Sequence, residues 1–234
     1  MIPKTIHYCW FGGSPLPSEV RACIRSWQKY CPDYTVKQWD ETNYDITRHP
    51  FMEAAYREKA WAFVSDIARL DLIHTHGGIY LDTDVELKKN LDFLLSEGCF
   101  FGIQQDKDLI ATGLGFGAEA NHPAVAAMLR YYETVTFDLG KKDDLACPLL
   151  NTAALEAHGY RRVNEKQTVL GAAIYPSRFF DPLSPGKTAD LTCPDTVSIH
   201  HYSASWTSGV QRFKRKLVRL VGADRIARIR RLLR

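Results

Sequence analysis

The sequence lacks any apolar run of about 18 residues, the length that a membrane-spanning helix needs. Its first residues, MIPKTIHYCWFGG, contain one lysine and too short an apolar stretch for the core of a secretory signal. The six cysteines are scattered without a CxxC pair or a metal-like cluster. These absences predict a cytoplasmic protein whose thiols are reduced and mostly buried.

Internal repeats and low-complexity segments are also absent, and 45% of the 234 residues are hydrophobic, as in ordinary globular proteins. Excess basic charge is confined to the C-terminus. Residues 211–234 hold ten of the 30 lysines and arginines and one acid, a charge of +9, which leaves −6 on the other 210 residues. We therefore expect one folded domain over residues 1–208 and a basic tail over 209–234.

Helical and strand patterns alternate along the expected domain. Strands predicted at 4–11 and 34–39 flank an amphipathic helix at 18–30, an order that favours a parallel sheet. A stronger helix, from residue 61, ends at Gly77-Gly78 and leads directly into the strand GIYLD. Further helices are predicted at 50–60, 122–135 and 145–158, and further strands at 99–105, 109–118 and 168–176. The sequence thus predicts an α/β fold.

Two carboxylates, Asp82 and Asp84, come at the end of the strand GIYLD. Open α/β sheets bind ligands at the carboxyl ends of their strands, and side chains two apart on a continuing strand point the same way. Because two such acids repel each other, either one is protonated or a cation lies between them. Oxygen ligands favour Mg²⁺ or Mn²⁺, which suggests a bound diphosphate. A DXD motif alone is weak, since solvated strand-end turns also contain it.

Asp66 and Arg69 lie three residues apart on the helix before that strand, so they share a helix face. One interpretation is an ordinary ion pair at the protein surface. Both residues, however, adjoin the apolar stripe of the helix and lie just upstream of the two acids. This position favours a place in the same site.

Four blocks of sequence, in order, resemble a known family. They are IPKTIHYCWFGG at 2–13, CIRSWQKYCPDYTVKQWD at 23–40, AFVSDIARLDLIHTHGGIYLDTDV at 62–85 and HHYSASW at 200–206. Together they resemble glycosyltransferase family 32, whose sugar-binding region contains a DXD motif and which includes fungal mannosyltransferases and bacterial capsule and lipopolysaccharide sugar transferases. The resemblance implies a GT-A fold, a Rossmann-like, mixed and mostly parallel sheet flanked by helices. It also implies metal-dependent transfer of a hexose from a nucleotide-diphosphate sugar, with retention at the anomeric carbon.

The resemblance also implies a role for individual residues. Asp84 binds the metal directly. Asp82 helps to hold the metal and contacts both the donor and metal-bound water. Asp66 and Arg69 contact the donor sugar and the diphosphate region. Trp10, at the end of the first strand, packs against the nucleotide base, although a tryptophan at such a position is more often part of the core.

The C-terminal block supplies further candidates. A second metal ligand from this region is common in GT-A enzymes, and imidazole suits Mn²⁺. Spacing from Ser205 and Trp206 favours His201 over His200 for this role. The resemblance places Trp206 near the β-phosphate, with Ser205 beside it.

The acceptor side matches the family less well. In the segment LIATGLGFGAEANHP, Thr112 and Gly113 are candidates for contact with the reacting sugar. The resemblance favours a UDP-sugar over a GDP-sugar as donor and a glycan or lipid-linked acceptor, as in capsule or lipopolysaccharide synthesis.

The tail, residues 209–234, places Val210, Phe213, Leu217 and Leu220 at helical spacing and fills its other positions with arginine and lysine. This pattern predicts binding to an anionic membrane, at the inner face of the plasma membrane. Packing of the apolar stripe on the domain is the alternative. Without stacking aromatics or a groove-reading motif, the tail does not indicate nucleic acid.

Two other functions compete with the transferase. The run IYLDTDVEL also fits the DxDxV motif of haloacid-dehalogenase-type phosphatases, in which Asp82 would be the nucleophile. That motif normally lies near the N-terminus and precedes an acidic pair borne on a strand, whereas Asp143-Asp144 follows GKK. The second alternative is an inactive nucleotide-sugar binding protein held at a membrane.

Overall fold

The structure, a computed structural model, describes residues 1–185 and 189–203. Ser205, Trp206, the predicted tail and its boundary with the domain lie outside these residues. The helices are α1 (Ser18–Tyr30), α2 (Pro50–Arg57), α3 (Trp61–His76), α4 (Pro123–Glu133) and α5 (Cys147–Glu156). The strands are β1 (Thr5–Cys9), β2 (Thr35–Trp39), β3 (Gly78–Tyr80), β4 (Val85–Leu87), β5 (Cys99–Gln104), β6 (Leu109–Ile110), β7 (Phe116–Ala118), β8 (Gln167–Val169), β9 (Ala172–Tyr175) and β10 (Ser198–His200).

The main sheet has the strand order β2-β1-β3-β7-β5-β9-β8, with β6 paired to β5. Strand β1 runs parallel to β2 and β3, and β5 runs parallel to β9. Strand β7 runs antiparallel to both β3 and β5, so β1, β2, β3, β5 and β9 share one direction. The mixed, mostly parallel sheet that we expected is confirmed. Strands β4 and β10 form a separate antiparallel pair.

Each face of the sheet buries its own hydrophobic cluster. Neighbouring residues of β3 show this, because Tyr80 belongs to the cluster under α2, α3 and α4, while Ile79 belongs to the cluster that includes Trp27 of α1 and Val85 of β4. Side chains alternate between the two faces of a strand, so a short strand buried on both faces is apolar throughout. No helix among the described residues is long and apolar enough to cross a membrane.

The turn from α3 into β3 sets the position of the site. Gly77 and Gly78 have φ of +65° and +104°, and a Cβ on Gly78 would lie 2.8 Å from His7 Nε2. Trp39 Nε1 donates to His7 Nδ1 (3.0 Å), which leaves Nε2 to donate to the Gly77 carbonyl (3.1 Å). Two glycines packed against a buried histidine therefore let β3 start immediately after the helix.

The structure departs from the sequence prediction in several segments. The region 109–118 contains β6, a 3-10 turn at Thr112–Leu114 and β7, and the region 168–176 is a hairpin of β8 and β9. Strand β4 was not predicted. Strand β3 ends at Tyr80 and does not continue through the acids, because Val85 N donates to Asp82 O (3.0 Å) and closes a turn.

Candidate active site

A cavity of about 520 Å³ lies at the carboxyl edge of the sheet, where β1, β3 and β5 end. It is lined by residues from the end of β1, from α3, from the turn after β3 and from the end of β10. The structure brings together seven candidates here: Trp10, Asp66, Arg69, Asp82, Asp84, Gly113 and His200.

Arg69 connects two of the acids. Its Nη2 lies 3.0 Å from Asp66 Oδ1 and 3.1 Å from Asp82 Oδ1, and the side chains of Arg69 and Asp66 are only 5% and 9% exposed. The guanidinium packs over the Tyr80 ring (5.0 Å to the centroid), and the Tyr80 hydroxyl donates to Asp82 Oδ1 (3.2 Å). Burial raises the pKa of Asp66 to about 6, although the charge of Arg69 opposes the rise. The ion pair is therefore buried and not at the surface.

Both carboxylate oxygens of Asp84 are contacted by residues near the end of the described chain. His200 Nε2 lies 2.9 Å from Oδ1, while the Ser203 backbone N and Oγ donate to Oδ2 at 2.8 and 3.1 Å. Burial alone would raise the pKa of Asp84, but His200 and the Ser203 hydrogen bonds hold that pKa well below its usual range. Asp84 is therefore a carboxylate at neutral pH.

Asp82, Asp84 and His200 fit a divalent cation. Each offers a ligand atom, and the three atoms lie within 4.8 Å of one another. His200 Nδ1 is buried and has no hydrogen-bond partner in the described part of the chain. Two carboxylates and an imidazole form a donor set that suits Mn²⁺, and Mg²⁺ with water in its remaining positions.

The geometry places His200, and not His201, beside Asp84. His201, which we predicted from spacing, lies with Nε2 3.0 Å from Glu86 Oε2, and its side chain is 40% exposed. In the antiparallel pairing of β10 with β4, His200 stands opposite Val85, so His201 shares the other face with Glu86. The turn before Val85 takes Asp84 out of this alternation, and its carboxylate reaches His200.

We expect His200→Ala to weaken Mn²⁺ binding at least about tenfold, because a ligand would be lost. His201→Ala should leave Mn²⁺ binding unchanged and serves as the matched control. Electron paramagnetic resonance of free Mn²⁺ during a titration measures both affinities. Weaker Mn²⁺ binding in His201→Ala, with no change in His200→Ala, would support His201 as the ligand, as the sequence predicted.

Trp10 follows β1 at the wall of the cavity and is half-buried. Its backbone N donates to Trp39 O (2.8 Å), which extends the pairing of β1 with β2, and its Nε1 donates to Ser14 O (2.5 Å). Two hydrogen bonds thus fix the indole beside the cavity.

Gly113, a candidate for contact with the reacting sugar, lies directly against the acids. A Cβ at this position would be 2.5 Å from Asp82 Oδ2 and 3.2 Å from Arg69 Nη1. Contacts this short are not tolerated unless the neighbours move, so the absence of a side chain lets the turn at Thr112–Leu114 close over Asp82.

Thr112, the other candidate for contact with the reacting sugar, is completely buried and does not line the cavity. It belongs to a buried polar cluster at the floor of the cavity with Cys147 and Asn151, which sequence reasoning missed. Cys147 Sγ lies 3.1 Å from Thr112 Oγ1 and 3.0 Å from Asn151 Nδ2, and Asn151 Nδ2 also donates to Thr112 Oγ1 (3.0 Å). Burial raises the pKa of Cys147 to about 12, so its thiol is neutral and not a nucleophile. These residues come from separate segments and form no local motif.

Comparison with known proteins agrees with the site. Residues 17–101 match a family model described as a glycosyltransferase sugar-binding region containing a DXD motif. The chain is 26% identical over 221 residues to an uncharacterized glycosyltransferase of Acanthamoeba polyphaga mimivirus, a match that covers 88% of this chain and 84% of that protein. It is 25% identical over 141 residues to inositol phosphoceramide mannosyltransferase 3 of Schizosaccharomyces pombe, covering 58% of this chain and 39% of that protein.

The fold is also that of a sugar transferase. The structure of PaToxG glycosyltransferase superimposes with a TM-score of 0.51 at 19% identity, over 67% of this chain and 68% of that chain. Asp66, Arg69, Asp82 and Asp84 all fall within the region that matches the family model. This match and the fold argue against the phosphatase alternative. The chain is a GT-A glycosyltransferase, similar to those of family 32, whose sugar-binding region contains a DXD motif.

Proposed function

We propose that the protein transfers a hexose from a nucleotide-diphosphate sugar, a UDP-sugar in preference to a GDP-sugar, with Mn²⁺ or Mg²⁺ as cofactor. The observation that carries the proposal is the convergence of Asp82, Asp84 and His200 on one cavity. Its volume, about 520 Å³, falls in the range of small-molecule sites, roughly 300–1,000 Å³. A bound divalent cation would neutralise charge on the departing nucleotide diphosphate.

Asp84 and Asp82 have different roles in binding the proposed cation. Asp84, kept ionised by His200 and Ser203, is ready as an anionic ligand at neutral pH. Asp82 shares its Oδ1 between Arg69 and Tyr80, while its Oδ2 faces Gly113. The charge of Arg69 thus holds the Asp82 carboxylate in one orientation.

Asp66 and Arg69 support binding of the donor sugar. A carboxylate accepts hydrogen bonds from sugar hydroxyls, and a guanidinium donates to hydroxyl and phosphate oxygens. Both lie on the middle of α3, with Arg69 Nε donating to Ser65 O (3.1 Å), so the pair stands on a rigid element. We assign Trp10 to the nucleotide base, which an indole face stacks against.

Retention at the anomeric carbon is part of the proposal and rests on the resemblance to family 32. Two thiols line the cavity, those of Cys9 and Cys147, and burial raises the pKa of each to about 12, so both are neutral. The Cys147 thiol is also paired with Thr112 and Asn151. This favours attack by the acceptor on the leaving-group side of the sugar over a thiol-linked intermediate.

The donor assignment is tested with a panel of UDP- and GDP-sugars, each with and without Mn²⁺. One sugar nucleotide should raise the melting temperature in a Mn²⁺-dependent way and be hydrolysed slowly in the absence of an acceptor. Stabilisation without hydrolysis or transfer would indicate an inactive binding protein. No response to any sugar nucleotide would contradict the proposal.

We further propose a glycan or lipid-linked acceptor, as in bacterial capsule or lipopolysaccharide synthesis, and a cytoplasmic location at the inner face of the plasma membrane. The +9 charge and apolar spacing of residues 209–234 support the membrane surface. The similarity to an inositol phosphoceramide mannosyltransferase supports a lipid-linked acceptor.

Deletion of residues 209–234 is expected to release the protein from anionic vesicles, because each basic residue near such a surface adds about 1 kcal/mol of attraction. Co-sedimentation with phosphatidylserine-containing vesicles measures the effect, and vesicles of phosphatidylcholine alone serve as control. Equal sedimentation of the full and shortened chains would contradict a membrane role for the tail.

A further inference from the structure

Helix α1 presents a row of three basic side chains to solvent. Arg21, Arg25 and Lys29 follow one another at intervals of four residues and are all exposed, whereas the opposite side of the helix is buried around Trp27. Residues four apart lie one above the other on a helix, so the three side chains form a row about 12 Å long. We call these three residues the basic row.

The basic row has no acidic partner in the described part of the chain. The Arg21 guanidinium donates to the carbonyl of Leu16, and the Lys29 ammonium lies over the ring of Tyr30 (4.9 Å to the centroid). On α2, by contrast, the exposed arginine pairs with a glutamate four residues before it. The charge of the basic row is therefore not neutralised by ion pairs along its own helix.

The acids close to α1 lie to one side of the basic row. Glu19, the acid of this helix, shares a flank with Ser26, seven residues further on. That flank faces β4, because Ser26 Oγ accepts from Leu87 N (3.0 Å). Glu86, on β4 itself, has basic partners of its own. The basic row thus keeps its full charge toward solvent.

This charge differs in sign from that of the rest of the domain. Residues 1–210 carry −6 overall, whereas α1 holds the three cations of the basic row and one acid, a charge of +2. The tail at 211–234 carries +9, the same sign as the basic row. Like charges repel, so neither the tail nor the same face of a second copy complements the basic row. An anionic partner outside the chain does.

The basic row begins beside the mouth of the cavity. Ser14 and Pro15, both exposed, line the cavity together with Pro17, which directly precedes α1. Arg21, the first member of the basic row, donates to Leu16 in this same segment. A surface that covers the basic row therefore also lies next to the mouth of the cavity.

We propose that the basic row of α1 is a second membrane-contact surface, separate from the tail, which binds anionic lipid headgroups and holds the mouth of the cavity beside the bilayer. Anionic lipids attract basic residues near a membrane surface, and guanidinium groups pair well with phosphate oxygens. A bilayer is favoured over other polyanions because the tail of the same chain combines basic and apolar residues as membrane-binding helices do. The inference rests on the membrane location proposed above.

Acetylation of lysines in the full chain, read by mass spectrometry, tests whether the bilayer covers the basic row. With all of the protein bound to phosphatidylserine-containing vesicles, Lys29 should react at least about fivefold more slowly than in solution. The exposed Lys142 is the internal control and should react at the same rate in both. Equal reaction of Lys29 with and without vesicles, in protein that is fully bound, would overturn the proposal.

A variant of the full chain tests the same surface by affinity. The combined change Arg21→Gln, Arg25→Gln and Lys29→Gln removes three charges and keeps a high helix propensity. This variant should bind the vesicles about 10 to 100 times more weakly than the wild type in co-sedimentation. Its melting temperature without vesicles should match that of the wild type.

The matched control removes the same charge from exposed positions elsewhere, by Arg130→Gln, Lys142→Gln and Arg161→Gln. Arg130 lies on α4, and α4 and α1 pack on opposite faces of the main sheet. Vesicle affinity of this control should stay within about twofold of the wild type, because attraction to the bilayer falls off within a Debye length of about 8–10 Å. Equal losses in the two variants would mean that net charge alone matters, and would contradict the proposal.

These measurements separate the basic row from the tail. If deletion of residues 209–234 releases the protein, while the α1 variant binds normally and Lys29 stays reactive, the tail alone anchors the chain and the inference about α1 is wrong. If the full chain does not bind phosphatidylserine vesicles at all, both membrane proposals fail. Protection of Lys29 by tripolyphosphate or a DNA duplex, but not by vesicles, would overturn the inference in favour of a soluble polyanion.

Discussion

Asp84→Asn is expected to lower Mn²⁺-dependent turnover of the donor by about two to three orders of magnitude, while the protein still folds. Metal stabilisation of a leaving group contributes several kcal/mol, and each 1.4 kcal/mol is about tenfold in rate. Asparagine keeps the shape of Asp84 but removes the charge that His200 and Ser203 hold in place. The asparagine amide also presents an NH₂ group or a carbonyl oxygen to His200 and Ser203, which contact a carboxylate in the wild type. Initial rates over a range of Mn²⁺ concentrations measure the loss, and circular dichroism checks the fold.

Glu86→Gln is the matched control for that variant. Glu86 lies two residues further along the chain and pairs with His201 and Lys88, with a side chain 33% exposed. Its turnover should stay within about twofold of the wild type, since exposed ion pairs contribute little. Equal losses in the two variants, or an Asp84→Asn enzyme that keeps more than a tenth of the Mn²⁺-stimulated rate, would argue against Asp84 as a metal ligand.

Local signals in the sequence predicted the elements that carry most of the site. Helix α1 spans Ser18–Tyr30, the range predicted from its apolar spacing, and α3 ends at the two glycines that we took as its stop. Apolar periodicity and glycine act over a few residues, so they are visible without knowledge of the tertiary structure. The order α3, β3, Asp82, Asp84 follows directly from them.

Local signals of this kind could not distinguish His200 from His201 as the residue beside Asp84. It depends on the pairing of β10 with β4, and β4 is a three-residue strand that follows a tight turn. A shift of one residue in that pairing would exchange the faces of the two histidines. Register between distant short strands comes from tertiary packing, which a single sequence does not show.

Asp181 is completely buried, which the sequence did not indicate, for a related reason. It lies between Phe180 and Pro182 with no motif around it, and it accepts a hydrogen bond from Gln105 N, which is 76 residues away in sequence. The contact between Arg69 and Asp82 is similarly invisible, because the spacing on α3 shows only Asp66 as a partner of Arg69. Long-range polar contacts of buried residues therefore form the part of the fold and of the site that only the structure provides.

Arg69→Met is expected to lower the free energy of unfolding by about 3–5 kcal/mol, the usual cost of removing one partner of a buried ion pair. The Arg69 side chain is 5% exposed and lies 3.0 and 3.1 Å from Asp66 and Asp82, so its loss leaves the buried Asp66 and the half-buried Asp82 without a cation. Urea denaturation without added metal measures the change. Arg48→Met is the matched control, because Arg48 is 50% exposed and pairs with Asp71 at 3.2 Å, a contact worth at most about 1 kcal/mol.

The loss of unfolding free energy in Arg69→Met should also depend on pH. The direction of this dependence distinguishes a lost charge from lost packing. Burial holds the folded-state pKa of Asp66 at about 6, above its ordinary value of 3.8, and the charge of Arg69 opposes that rise. Removing this charge raises the pKa further, so the folded variant binds more protons than the unfolded chain over a wider range. Stability then falls as pH increases through that range. The deficit relative to the wild type should therefore be larger at pH 8 than at pH 5, whereas a loss of packing alone would be equal at both.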